Sequence, residues 1–177
     1  MRTAKPLLAI TVVAVIVAAS SRPAAQQIAL TDKITRLGGT WLLEPEKGWG
    51  GICGVPTSDE LRLSVSPVEI AIQAKFFSQG IQSQTLMPLG VITLDGTETT
   101  LSDGRTATAS TDAGWLAVTM TRERGGGLAN VMREVYILNG NREELTVWRT
   151  LNVRMPDGLQ GKIDCGNHHA IVYSRKP

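Results

Sequence analysis

The sequence predicts an all-β domain, an up-and-down antiparallel β-barrel of eight or nine strands with a short N-terminal helix. From Trp41 to the C-terminus, apolar residues recur at every second position in short runs, and turn-forming residues separate these runs. No helical period of the kind that connects parallel strands lies between them, so a parallel sheet is excluded. A long meander closes on itself or splits into two stacked sheets, because free edges invite aggregation. We favour closure, with an open or flattened barrel as the alternative.

The N-terminus is typical of a secretory signal peptide. Arg2 and Lys5 precede an uncharged run from Leu7 to Ala19, and small residues then fit cleavage before Ser21. The run of about 13 residues is shorter than the roughly 20 that a spanning helix needs. We therefore expect residues 1–20 to be removed and the mature protein to be exported, periplasmic or extracellular, without a transmembrane segment.

The charge of the mature chain argues against a nucleic-acid partner. Arg2 and Lys5 account for the whole net charge of +2, so basic and acidic residues balance once the signal is removed. No run of lysine or arginine supplies the surface that phosphate binding requires. The remaining length suits one domain. We expect a flexible leader over residues 21–30 and a barrel domain over residues 31–177.

The elements follow in order along the chain. Thr31 is a suitable N-cap for a short helix that has Ile34 and Leu37 on one side and ends at Gly38. Asp95-Gly96 is a strong tight-turn signal, and glycines 125 to 127 form a flexible hairpin tip. Strands are expected at Trp41, Leu61–Ser66, Glu69–Phe77, Val91–Leu94, Thr106–Ser110, Trp115–Arg124, around Val131, Val135 and Ile137, around Leu145, Val147, Leu151 and Val153, and at His168–Lys176.

Cys53 and Cys165 are the only two cysteines. An exported protein lies where thiols oxidise, so one disulfide is the simplest interpretation. Two unpaired buried thiols and a metal site are the alternatives. Neither cysteine has a second one at the spacing that zinc sites favour, so we expect no metal.

The start of the first strand carries a family resemblance. Gly39, Thr40 and Trp41, which follow a short helix, resemble the Gly-x-Trp opening of lipocalins and the wider calycin group, and of small exported bacterial barrels of unknown function. In lipocalins this tryptophan packs across the closed end of the barrel against an arginine of the last strand. The resemblance implies this role for Trp41 and Arg175, with the guanidinium over the indole.

The same barrel would bring the two cysteines together. In a closed meander the first and last strands are neighbours. Cys53 follows the first strand and Cys165 precedes the last, so a disulfide between them would fasten the ends of the barrel. The glycines around Cys53 then belong to a first loop over one end of the barrel.

Arg149 is the first candidate ligand-binding residue. It falls in step with Leu145, Val147 and Leu151, the face that we expect to point inward. A buried guanidinium needs a carboxylate, carbonyl oxygens or an anionic ligand. Similar barrels that bind fatty acids hold the carboxylate with an interior arginine. The alternatives are a bulge that turns Arg149 outward and a structural pair with Glu134 or another acid.

His169 and Tyr173 are the other candidates. His168 and His169 are adjacent on a strand, so their side chains point to opposite faces and cannot chelate one metal together. His169 would share the inner face with Ile171 and Tyr173. The resemblance to nitrobindin-like barrels makes His169 a candidate haem ligand, and a surface or hydrogen-bonded histidine is the alternative.

No catalytic motif stands out. The chain has no Gly-x-Ser-x-Gly elbow, no paired histidines at helical spacing and no phosphate loop, so we expect neither an enzyme nor a cofactor. The favoured function is an exported, lipocalin-like barrel that binds a small apolar or amphipathic ligand. One alternative is a periplasmic protein-binding module, such as a protease inhibitor that acts through Ser21 to Thr31. The other is a nitrobindin-like haem-binding barrel.

Overall fold

The structure is a computed structural model. It describes residues 32–48, 58–78, 81–82, 86–112, 114–140, 143–162 and 168–177. The predicted signal peptide (1–20), the predicted leader (21–30), the predicted helix cap Thr31 and both cysteines lie outside the described residues. Among the described residues, no helix has the length and hydropathy needed to cross a membrane.

A single helical turn precedes the sheet. It covers residues 32–35, and a turn over residues 36–37 leads to Gly38, whose N–H donates to the carbonyl of Thr35 over 3.0 Å. Twelve strand segments follow: β1 (Gly39–Leu43), β2 (Ser58–Val65), β3 (Glu69–Ser78), β4 (Ile81–Gln82), β5 (Met87–Thr93), β6 (Thr99–Thr100), β7 (Thr106–Asp112), β8 (Trp115–Gly125), β9 (Leu128–Leu138), β10 (Glu144–Arg154), β11 (Gln160–Lys162) and β12 (His168–Arg175).

The strands form one antiparallel, nearly closed, barrel-like sheet. Its path runs through ten strands, β4-β3-β2-β1-β12-β10-β9-β8-β7-β6, while β5 pairs with β3 and β11 with β10 off this path. The all-β prediction is confirmed, but the expected count of eight or nine strands was wrong. The short strands β4 and β6 end the path, and each has two residues. Two residues are too few to show an alternating pattern in a sequence.

The first and last long strands are neighbours. β1 pairs with β12, with Trp41 opposite Arg175 and Leu43 opposite Tyr173. The gap in the sheet lies elsewhere, between β5 and β7, where the described residues form no strand ladder. Ser102 bridges that gap: its N–H donates to the carbonyl of Leu89 over 3.2 Å and its hydroxyl to that of Pro88 over 2.8 Å. Pro88 itself has no N–H to contribute to a ladder.

One apolar core lies inside the barrel. The helical turn and the long strands contribute buried side chains that include Ile34, Leu37, Trp41, Leu63, Ile70, Ile92, Leu116, Val118, Leu145 and Tyr173. We call the end of the barrel that carries the helical turn and Trp41 the base, and the opposite end the mouth. β9 begins at the mouth and β10 ends there, because β10 starts beside the end of β12.

Candidate functional site

The inner faces of β9 and β10 carry the most unusual residues of the barrel. The two strands pair in continuous register from Leu145 opposite Leu138 to Arg154 opposite Ala129, without a bulge. Side chains therefore alternate regularly between the two faces. The bulge that would have turned Arg149 outward is absent from this register, and Arg149 and Glu134 are both buried. The inner-face residues are Asn130, Met132, Glu134 and Tyr136 on β9, and Leu145, Val147, Arg149 and Leu151 on β10.

Three of these residues form an interior polar cluster: Glu134, Tyr136 and Arg149. The Nε of Arg149 donates to Oε1 of Glu134 over 2.8 Å, and its Nη2 lies 2.6 Å from the same oxygen. The hydroxyl of Tyr136 donates to Oε2 over 2.5 Å. Both oxygens of the carboxylate are therefore engaged, and the positive and negative charges of the cluster cancel. The pair with Glu134 is one of the alternatives that the sequence left open.

Burial and the Glu134 carboxylate shift the pKa values of Arg149 and Tyr136. Burial alone would lower the pKa of Arg149, but the charge and hydrogen bond of Glu134 outweigh it and raise that pKa. Burial is also the main reason why the pKa of Tyr136 lies well above its usual value, and the nearby negative charge adds to it. The guanidinium stays charged and the phenol neutral at ordinary pH.

Tyr173 lies next to this cluster. It is buried and stands opposite Leu145 of β10 in the ladder. Burial is the main cause of its raised pKa. The charge of Arg149 and a hydrogen bond with the buried Ser58 lower that pKa by smaller amounts, and the charge of Glu134 raises it. The structure therefore brings two of the predicted ligand-binding residues, Arg149 and Tyr173, to one side of the barrel interior.

Asn130 was not singled out from the sequence. It lies on the inner face of β9, four residues toward the mouth from Glu134, or about 13 Å along the strand. Its Oδ1 atom is buried and accepts no hydrogen bond from the described part of the chain. A buried acceptor without a donor costs about 1–3 kcal/mol. The signal was available: Asn130 is polar at a position in step with Met132 and Glu134.

Three other strands, β3, β5 and β7, carry small inward residues. Ala74 of β3, Ala107 and Ala109 of β7 are buried, and Gly90 of β5 stands opposite Ile72 on the same face. Leu101 lies over Gly90: a Cβ there would approach Cδ2 of Leu101 to 2.8 Å.

The base is closed by Trp41 and Arg175. The guanidinium carbon of Arg175 lies 4.2 Å from the centroid of the indole, and the indole N–H donates to the carbonyl of Leu37 over 2.9 Å. Arg175 also donates to the carbonyls of Gly38 and Arg36, over 3.0 and 2.8 Å. The first glycine of Gly-x-Trp provides the space, because a Cβ on Gly39 would lie 2.5 Å from Nη1 of Arg175.

Three predicted site residues lie wholly or partly outside the described residues. The ladder sets His169 opposite Arg149, but its side chain lies outside the described residues. Cys53 and Cys165 lie outside them altogether, so their disulfide and the haem role of His169 stay predictions. Within the described segments, no three histidine, cysteine, aspartate or glutamate side chains approach closely enough to hold a metal ion.

Two comparisons with known proteins found no match for this chain. A scan against protein-family models found no match, and a search of curated proteins found no significantly similar sequence. The fold, the closed base and the interior polar cluster are therefore the observations on which a function is argued.

Proposed function

We propose that this chain is an exported, lipocalin-like, non-enzymatic barrel that holds a small apolar or amphipathic molecule in its interior, next to Arg149 and Tyr173. One observation carries the proposal: the inner face of an otherwise apolar barrel carries the interior polar cluster. The same face of β9 also carries the buried acceptor of Asn130, which has no donor among the described residues. Its export rests on the signal-like residues 1–20, and its lipocalin-like character on the Gly39–Trp41 opening and the contact of Trp41 with Arg175.

Stability alone does not account for the interior polar cluster and Asn130. Desolvating two charges costs several kcal/mol for each ion, and apolar residues of similar volume are often as stabilising as a buried ion pair, or more so. Asn130 adds a further cost, because its buried oxygen lacks a donor. Polar groups with precise positions inside an apolar site are what small-molecule recognition requires.

The shape of the barrel favours entry from the mouth. The base is filled by the helical turn, by the buried Trp41 and by the guanidinium of Arg175. Toward the mouth the inner faces carry Met120 and Met132, whose flexible thioethers adapt to different shapes. A ligand that enters there would meet Asn130 before the polar cluster.

The test begins with protein purified from its own host. Native mass spectrometry and organic extraction should show a bound small molecule, and the neutral dye N-phenyl-1-naphthylamine should bind saturably to the extracted protein. The double variant Glu134→Leu/Arg149→Met is the control: it should keep the strand signal in circular dichroism and bind the same molecule more weakly. A mass equal to the bare chain, together with no saturable dye binding, would overturn the proposal.

The same preparations separate the alternative functions. A Soret band on haem addition that is lost in His169→Ala would favour the haem-binding barrel. Binding of a partner protein that is abolished by deletion of residues 21–27, with dye binding unchanged, would favour the protein-binding module. The ligand-binding barrel predicts neither result.

A further inference from the structure

We propose that the polar group of the ligand is uncharged and carries a hydrogen-bond donor, as in a hydroxyl or a primary amide, and that it is not a carboxylate. This inference rests on the proposed ligand-binding function and names the chemical class of the ligand. It differs from the expectation raised by the resemblance, in which an interior arginine holds the carboxylate of a fatty acid.

The charge of Arg149 is already balanced. Its Nε and Nη2 lie 2.8 and 2.6 Å from the same oxygen of Glu134, and both side chains are buried. A carboxylate brought to the cluster would lie beside the carboxylate of Glu134 in a medium that screens poorly. Two negative charges would then share one positive charge, and like charges in contact cost several kcal/mol. An ammonium group would meet the same problem with Arg149. A cluster without net charge selects a ligand without net charge.

The polar residues of this face retain acceptor capacity. Oε2 of Glu134 accepts one hydrogen bond, from Tyr136, and a carboxylate oxygen has two lone-pair positions. Oδ1 of Asn130 is buried and accepts none from the described residues. Both atoms can accept a hydrogen bond from an N–H or an O–H of a ligand. A carboxylate at neutral pH has no such donor, whereas a hydroxyl has one and a primary amide has two.

The arrangement of the two acceptors also describes the body of the ligand. Asn130 and Glu134 lie on one face of β9, about 13 Å apart along the strand. Met132 lies between them on that face, and Leu151 stands opposite Met132 on β10. A ligand with an apolar body of this length and a donor at one or both ends would fit this face. Its body would lie against Met132 and Leu151, and its donors would reach Glu134 or Asn130.

Four probes with the same alkyl chain test whether the site prefers an uncharged head group. Dodecanol, dodecanamide, dodecanoate and dodecylamine compete with N-phenyl-1-naphthylamine for the wild-type protein at neutral pH. We expect the alcohol and the amide to displace the dye at concentrations at least about ten-fold lower than the two charged probes. Dodecanoate that competes as well as the alcohol, or better, would overturn the inference and leave the ligand-binding function intact. Failure of all four probes, together with the absence of any molecule bound to the native protein, would overturn the function itself.

A variant of Glu134 should reverse the order in which the probes bind. Glu134→Gln keeps the shape of the side chain but removes the negative charge that faces Arg149, so the preference should reverse in favour of dodecanoate. Glu123→Gln is the matched control, since that carboxylate pairs with Arg154 on the exposed surface and should leave the wild-type order of the probes unchanged. A folded Glu134→Gln protein that still prefers the alcohol would contradict the assignment; if this variant fails to fold, the wild-type order alone decides.

Asn130 has its own probe. The α,ω-diol with the same chain carries a donor at both ends and should bind more tightly than dodecanol to the wild-type protein. In Asn130→Leu the two should bind equally, because the second acceptor is gone. A diol advantage that survives in Asn130→Leu would show that Asn130 does not contact the ligand.

Discussion

Two arginine–glutamate pairs in this barrel have nearly the same length but very different surroundings. Arg149 and Glu134 approach to 2.6 Å, with 7% and 6% of their side chains exposed. Arg154 and Glu123 approach to 2.5 Å, with 44% and 63% exposed. Both arginines lie on β10, one in the middle of the barrel and one at its mouth. The distance between the charges therefore says little about what each pair does.

Burial decides the difference. At the mouth, water solvates both charges whether or not they meet, so the pair adds little to stability. In the interior each ion has lost its hydration, and only the partner and the neighbouring hydrogen bonds compensate for that loss. The exposed pair can be removed at small cost, whereas the buried pair can be removed only as a unit. The interior pair is therefore a weak source of net stability, although breaking it alone is costly.

The largest expected effect comes from breaking the buried pair. Glu134→Ala removes the carboxylate that pairs with the buried guanidinium of Arg149 and accepts from Tyr136, so the free energy of unfolding should fall by about 3–5 kcal/mol. Chemical denaturation followed by circular dichroism measures it. The double variant Glu134→Leu/Arg149→Met should recover most of the loss. A single variant that loses less than about 1 kcal/mol would mean that the pair is solvated.

The arginine at the base should give a smaller loss. Arg175→Ala removes one cation–π contact and two hydrogen bonds to backbone carbonyls, which together predict a loss of about 2 kcal/mol. Equilibrium denaturation gives the value, and Arg175→Lys is the matched control. Lysine keeps the charge without the planar fork, so it should fall between wild type and Arg175→Ala. Equal losses for both variants would mean that the fork geometry is unimportant.

The next effect concerns alkaline pH. Tyr136 and Tyr173 are the only tyrosines, both are buried, and the pKa of each is raised in the folded state. The unfolded chain loses these protons above about pH 10 while the folded chain keeps them. Stability is therefore full below pH 10 and falls above it, by about 1.4 kcal/mol per pH unit for each tyrosine.

Ultraviolet absorbance and circular dichroism over the same pH range test this. Tyrosinate absorbance should appear only together with unfolding, and Tyr173→Phe should halve its amplitude. Tyrosinate that appears near pH 10 in a protein with an intact strand signal would contradict the buried placement of these phenols.

The sequence predicted which faces point inward more successfully than which groups meet there. The alternation around Arg149 placed it inside, and Gly39 to Trp41 pointed to a contact with Arg175. The partner of Arg149 stayed open, because alternation fixes a face but not the register between two strands. That register depends on the turn between β9 and β10, where Asn139 donates to Glu144 over 2.6 Å.

The gap in the barrel lay beyond reach of the sequence for a related reason. Strands of two residues, such as β6, have no period to detect. Whether β5 meets β7 depends on contacts between distant segments, here Leu101 against Gly90 and Ser102 against Leu89. None of these is visible as a local pattern. Ring closure is a property of the whole sheet, whereas alternation is a property of one strand.

The smallest expected effect comes from the exposed pair. Glu123→Gln removes the charge that faces Arg154, and the free energy of unfolding should change by about 0–1 kcal/mol. Whatever loss exists should shrink as salt is added, since exposed charges are screened within about 10 Å at moderate ionic strength. Denaturation at low and high salt measures both quantities for Glu123→Gln and Glu134→Gln side by side. A loss in Glu123→Gln that matches Glu134→Gln, or that persists at high salt, would mean that distance rather than burial sets the strength of these pairs.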